Sequence, residues 1–368
     1  MTDATRTNAG SLLVVGLAGT ELTALERSWL KLVRPAGIIL FRRNIVEARQ
    51  TRALLSAATA LCMPHSLRCV DVEGGTVDRL RDALAPMPSA QAVARADAGE
   101  RNAAILTFAQ EHGELVGREV SAFGFNTTLA PVLDLALPGS AEVMGTRAAA
   151  ATSDGVVNYA RSFLGGLAAE GVVGCGKHFP GLGGGTLDSH LETPSIHRSR
   201  TELWLEDLAP YRELRKELPM VMVNHAAYPN TPGGARPASV SPYWITTVLQ
   251  KRIGYKGIVF SDDLEMGGIL KFMPIEDAVI AAVRAGMDLM EICHSPELIL
   301  RTYEALISEA ERSKTFAAML ADRAKRTGKL RARLNGARPA RALTARQFDA
   351  LRARIVRFSE RVAEAQLA

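Results

Sequence analysis

The stretch K-H-F-P-G-L-G-G-G-T-L-D-S-H at 177–190 gathers a lysine, two histidines and an aspartate around a run of glycines. Lys177 and His178 close an apolar segment, and Asp188 and His190 stand two residues apart beyond the loop. Side chains two apart in an extended segment share a face, so the Asp188 carboxylate can hold the His190 imidazole in one tautomer and raise its basicity. That is machinery for moving a proton. An isolated D-x-H reads more simply as a helix-capping aspartate with a solvated histidine. Lys177 and His178 close by shift the reading toward chemistry.

A second reactive segment is G-I-V-F-S-D-D-L-E-M at 257–266, which delivers Asp262 from an apolar run into a turn. Partial burial raises a carboxylate's pKa and costs free energy unless hydrogen bonds or cations compensate. Lys177, Arg79 and Arg147 are the candidate cations. Either aspartate could instead be the N-cap of the next helix; the first is read as functional and the second as structural.

These residues need a frame. Short runs rich in Val, Ile and Leu recur at 12–17, 37–41, 67–72, 129–135, 172–179, 221–225, 257–260 and 288–293. Between most of them lie helical patterns, at 103–123, 155–169, 242–252 and 275–285, with apolar residues three and four apart. Eight alternations of strand and helix predict an α/β fold, a single (β/α)8 TIM-type barrel. Polar groups fall at the ends of the runs: Asp71 and Glu73, Asp134, Lys177 and His178, Asn224 and His225, Asp262 and Asp263, Glu291 and His294. Barrel enzymes place their chemistry there. A doubly wound open sheet would carry a G-x-G-x-x-G after its first strand, and none is present. The barrel is expected over 1–335, followed by a basic helical extension over 336–368 that covers the barrel or a second subunit.

With 368 residues, 47% hydrophobic and 23% charged, the chain suits one barrel with a substantial core. No apolar run has the length of a membrane span. The apolar stretch at 11–19 behind Arg6 is read as a first strand rather than a targeting signal, so a cytoplasmic protein is expected. From residue 323 onward 13 Lys and Arg face 3 Asp and Glu, which leaves 31 against 36 in residues 1–322. The body is therefore mildly acidic, no nucleic-acid partner is expected, and the basic tail reads as a solvated helix surface. Cys62, Cys69, Cys175 and Cys293 lack paired metal spacing, and the seven histidines are scattered, so neither a metal nor any other cofactor is expected.

The segments A-G-I-I-L-F-R-R-N-I at 36–45, V-D-V-E-G-G-T-V-D-R-L at 70–80, K-H-F-P-G…D-S-H at 177–190, P-A-S-V-S at 237–241 and F-S-D-D-L-E-M at 260–266 resemble those of glycoside hydrolase family 3. The likeness is greatest to its single-domain bacterial β-N-acetylglucosaminidases of peptidoglycan recycling, and runs from about residue 12 to about residue 334. It implies a retaining hydrolase that removes terminal non-reducing N-acetylglucosamine from muropeptide fragments. Asp262 would be the nucleophile, His190 the proton donor and acceptor, and Asp188 its support. A histidine in place of the usual second carboxylate suits the task, since a reference pKa near ~6.5 lets it give and take a proton at neutral pH. Asp71, Arg79, Arg147, Lys177 and His178 would contact the carbohydrate substrate. Two positions depart from the family pattern: Leu182 stands where a second loop histidine is usual, and Thr76 where an arginine often follows E-G-G. A β-glucosidase of other sugar specificity, or a barrel that senses cell-wall sugars without turning them over, are the alternatives. The glycines at 181 and 183–185 predict a freely moving segment with little side-chain anchoring.

Overall fold

The computed structural model describes residues 3–99, 107–140, 143–185, 194–335 and 342–367. Eight parallel strands close into a barrel in chain order: β1 (Leu13–Gly16), β2 (Gly37–Leu40), β3 (Leu67–Val70), β4 (Thr127–Thr128), β5 (Val173–Phe179), β6 (Met220–Val223), β7 (Ile258–Asp263) and β8 (Leu289–Ile292), with β8 pairing back onto β1. The predicted (β/α)8 barrel is the fold.

Period-two alternation divides each strand between two cores. Leu13, Val15, Ile38, Leu40, Val221 and Val223 pack outward in the large cluster shared with the helices. Val14, Ile39, Cys69, Met222, Phe260 and Leu289 form a second cluster, which fills the barrel interior. Extending the inward series by two along each strand gives Asp71, Lys177, Asn224, Asp262 and Glu291. The order of the chain thus converts an apolar interior into a polar mouth at the C-terminal ends of the strands.

The fourth strand corrects the sequence reading of 129–135. Its ladder is only Thr127–Thr128, paired with Cys69 and Val70 on one side and Val173 and Gly174 on the other. Pro131 has no N–H to donate to a ladder, and beyond it only a single bridge from Val132 to Lys177 persists. Two β-branched threonines, both buried, make the strand that a search for Val, Ile and Leu passes over.

At the foot of the barrel lies helix Lys314–Asn335. Its Leu330 and Leu334 pack against the interior cluster, and its Thr327 hydroxyl donates to the Ser11 carbonyl at 3.0 Å. The chain ends in helix Ala345–Ala365, opened by a capping box between Thr344 and Gln347. Leu351, Ile355, Phe358 and Val362 are buried on one face of it, against helices Ala90–Gly99 and Phe108–Ala122. The basic tail is not simply solvated. Arg326 and Arg323 reach Asp288, Arg331 donates to the Pro64 carbonyl, Arg352 to the Leu84 carbonyl, and Arg361 pairs with Glu111. All four cysteines are free and buried, and among the described residues no helix is long and apolar enough to cross a membrane.

Candidate active site

A cavity of about 730 Å³ opens at the mouth, lined by Asp71, Arg79, Arg147, Lys177, His178 and Asp262 together with Phe41, Arg43, Met222, Glu291 and His294. Six of the residues expected to act thus meet around one space. The other two, Asp188 and His190, lie outside the described residues.

Two irregularities turn additional side chains into the cavity. The register between β5 and β6 shifts between Gly176 and Phe179, and both Lys177 and His178 line the space. β7 gains a residue against β8, since Phe260 faces Leu289 and Asp263 faces Glu291. Such a bulge redirects side chains near functional sites, and both Asp262 and Asp263 reach the cavity wall.

Glu73 is the hub of the charged wall. It takes Lys177 Nζ at 2.6 Å and both Nε and Nη2 of Arg147 at 2.8 Å, a two-pronged pairing that fixes the guanidinium plane. Burial alone would raise the Glu73 pKa, but Arg147 and Lys177 outweigh it and hold the carboxylate far below the usual range. Lys177 also donates to Asp71 Oδ1 at 2.9 Å, and Arg79 lies 3.8 Å from Asp71 Oδ2. His178 is held through Nδ1 and its backbone N–H, both on Asp134 Oδ2 at 2.7 and 3.1 Å, with Arg147 Nη2 3.4 Å from Nε2.

Asp262 is placed differently. Burial pushes its pKa up, yet His178, His225, the Asp263 N–H at 3.0 Å and Lys177 together bring it below the ordinary value. His225 is buried between the Ser239 hydroxyl at 2.7 Å and the Asp263 carbonyl at 2.9 Å. Burial lowers its own pKa. Arg79 and Arg147 are engaged with Asp71 and Glu73 rather than with Asp262. Neither aspartate is a helix cap: Met266 precedes helix Gly267–Leu270, and Asp263 Oδ1 accepts from the Glu265 N–H in a tight turn.

The model of the glycosyl hydrolase family 3 N terminal domain matches residues 5–330. The chain belongs to glycosyl hydrolase family 3. The β-hexosaminidase of Alkalilimnicola ehrlichii is 39% identical over 288 residues, 78% of this chain and 82% of that protein. The family 3 β-N-acetylglucosaminidase of Paenibacillus sp. str. FPU-7 superposes with a TM-score of 0.84 at 29% identity, covering 98% of this chain and 69% of that one. NagZ from Neisseria gonorrhoeae, solved in complex with N-trifluoroacetyl-D-glucosamine, gives 0.73 at 31% identity, covering 86% and 98%.

Within this glycoside hydrolase the first part of the loop after β5, residues 181–185, makes contacts of its own, and the rest of the segment expected to move, from 186 on, lies outside the described residues. Residues 181–185 are anchored. Leu182 is buried with its N–H on Asp134 Oδ1 at 2.7 Å, and the Tyr228 hydroxyl donates to the Gly181 carbonyl at 2.7 Å. Gly183 allows a close approach, since a Cβ there would meet the Leu135 carbonyl oxygen at 2.6 Å. Leu182, in place of the family's histidine, fills that packing. Glu73 is the residue that the candidate site lacked, although V-D-V-E carries the signal: two carboxylates at period two on one face. Among the described residues Asp263, Glu265 and His294 form the one His and carboxylate group close enough to hold a metal. Glu265 already fastens the turn after β8 by accepting from the His294 and Ser295 N–H groups.

Proposed function

We infer that the chain is a retaining exo-β-N-acetylglucosaminidase that removes terminal non-reducing N-acetylglucosamine from peptidoglycan-derived muropeptide fragments in the cytoplasm. The observation that carries the reading is Asp262, ionised at the wall of a cavity whose other polar groups are already oriented by one another. Relatives named β-hexosaminidase and a neighbour solved with an N-acylglucosamine support the choice of sugar.

In this reading an Asp262 carboxylate oxygen attacks the anomeric carbon as the glycosidic C–O bond breaks. His190 gives its proton to the departing oxygen, and Asp188 supports the imidazole. Water then loses a proton to His190 and displaces Asp262, so two inversions restore the β configuration. Asp71, Arg79, Arg147, Lys177 and His178 hold the sugar by charge-assisted hydrogen bonds. Glu73 positions Lys177 and Arg147 from behind. The test is hydrolysis of nitrophenyl β-N-acetylglucosaminide against the matched glucoside. Preference for the acetamido sugar by orders of magnitude is expected, because a site built for that group is left with unpaired polar atoms without it. Equal kcat/KM on the two would replace the reading with a broad β-glucosidase, and no turnover with a sugar sensor. Release of N-acetylglucosamine from a muropeptide faster than from chitobiose would support the cell-wall substrate.

A further inference from the structure

Glu291 is a buried acid that the mechanism above does not use. It lies on β8 between inward-facing Leu289 and Cys293, and period two places it on the barrel axis side. It is 4% exposed, and it lines the floor of the cavity with Asp262, Asp263 and Cys293. Glu73, another buried acid of the mouth, has two cations in contact. Glu291 has a thiol: Cys293 Sγ donates to Oε1 at 2.9 Å, and among the described residues Oε2 has no hydrogen-bond partner.

A buried polar atom left unpaired is costly, so one that persists in a functional cavity calls for a ligand. Below Glu291 lies the interior cluster, apolar apart from the thiols of Cys69 and Cys175 and the Thr127 hydroxyl, which is engaged with Cys69. Above it lies the space for the sugar. The last torsion of a glutamate side chain is broad, so the carboxyl turns toward that space at little cost. We propose that Glu291 is a specificity residue on the floor of the sugar cavity, its Oε2 hydroxyl donating a hydrogen bond to a hydroxyl group of the bound hexosamine. Its protonation follows from its surroundings. Burial, with Asp263, Asp71 and Asp262 nearby, drives the Glu291 pKa well above the carboxylate range, and the Cys293 thiol is also raised and keeps its proton. Oε1 therefore accepts from the thiol as a carbonyl oxygen, and Oε2 carries the proton that is free to donate.

This inference rests on the hexosaminidase reading for the identity of the sugar, and its test separates the two. Wild type, Glu291→Leu and Glu291→Gln are compared on nitrophenyl β-N-acetylglucosaminide and on its 3-, 4- and 6-deoxy derivatives. Glu291→Leu is expected to lose roughly 10-fold or more in kcat/KM on the full sugar and almost nothing on one deoxy sugar, the one lacking the partner hydroxyl. Glu291→Gln is expected to recover most of that loss, since its amide oxygen can face Cys293 and its amide N–H can replace the acid proton. An equal loss on all four sugars overturns the proposal, as does a folded Glu291→Gln as poor as Glu291→Leu. Should Glu291→Leu not fold, Glu291→Met runs the same cycle. If wild type turns over no N-acetylglucosaminide, the hexosaminidase reading falls, and the cycle is read on the deoxy series of whichever aryl glycoside is hydrolysed. If none is hydrolysed, it is read by calorimetric binding of N-acetylglucosamine and its deoxy derivatives.

Discussion

Both ends of the barrel bury carboxylates beside cations, and they settle them in different ways. At the foot, Asp288 accepts from the Val259 N–H at 2.9 Å, from Arg326 Nε at 2.8 Å and from Arg323 Nη1 at 3.2 Å. The cations come from a helix packed across the strand ends, and the group is closed. At the mouth, Glu73 satisfies Lys177 and Arg147, but Asp262 is left with one backbone N–H and cations that are near without being paired to it. Burial of charge is common to the two. What marks the reactive end is capacity left over after the neighbours have been satisfied.

The comparison breaks most visibly at Asp262. Asp262→Asn is expected to lower kcat on the order of 10⁴-fold while the melting temperature barely changes, and mass analysis after a slow fluorinated glycoside should find the adduct on Asp262. An adduct on Asp263 would reassign the nucleophile. Glu73→Ala should cost both kinds of quantity, since it strands two buried cations: about 3–5 kcal/mol in urea unfolding, with a fall in kcat/KM. Asp288→Ala should cost stability of a similar order, because it strands Arg326 and Arg323, yet leave kcat/KM of the folded protein unchanged. A loss of kcat/KM at pH 7 in Asp288→Ala would show that foot and mouth are coupled. For the dyad beyond the loop, His190→Ala should slow poor leaving groups roughly 100-fold more than activated ones, read as a steeper dependence of rate on leaving-group pKa.

The one effect on stability alone that varies with pH concerns Asp207, buried under the loop where a Cβ on Gly181 would touch it. Burial raises its pKa from 3.8 to about 7, with Arg198 Nε at 3.0 Å opposing the rise. The folded state therefore holds a proton that the unfolded state has released, and stability falls as pH rises from about 4 to about 7. Asp207→Asn should flatten that part of the stability profile in urea melts taken across the range. An unchanged slope would mean that Arg198 keeps Asp207 ionised throughout.

Much of this was legible in the chain. Runs of Val, Ile and Leu mark most strands because parallel barrel strands are buried on both faces, and the polar residues that end them mark the mouth. The Thr127–Thr128 strand was hidden because its burial is not written in apolar letters. The Arg147–Glu73 pair joins residues 74 apart, and no local pattern states such a distance. Glycines at 181 and 183–185 signalled freedom, whereas the fold uses their small size; Asp134 and Tyr228, which fix that backbone, come from elsewhere in the chain. The family likeness supplied roles for Asp188 and His190 that the described geometry does not reach.

The last helix has a consequence in the order of synthesis. Its Arg352 holds the Leu84 carbonyl at 3.0 Å and its Phe358 stacks on His112, whose ring lies against Gly74. The neighbouring Met87 in turn bonds Gly75 and Asp78, so the antiparallel hairpin of Val72–Gly74 and Val77–Asp78, which carries Glu73, is braced from behind by residues translated more than 250 positions later. Chains are made from the amino end. The acid that gathers Lys177 and Arg147 therefore waits for its brace until helix Ala345–Ala365 has been made, and a nascent chain stalled before residue 345 holds every strand of the barrel while the wall of its sugar site is still unsupported.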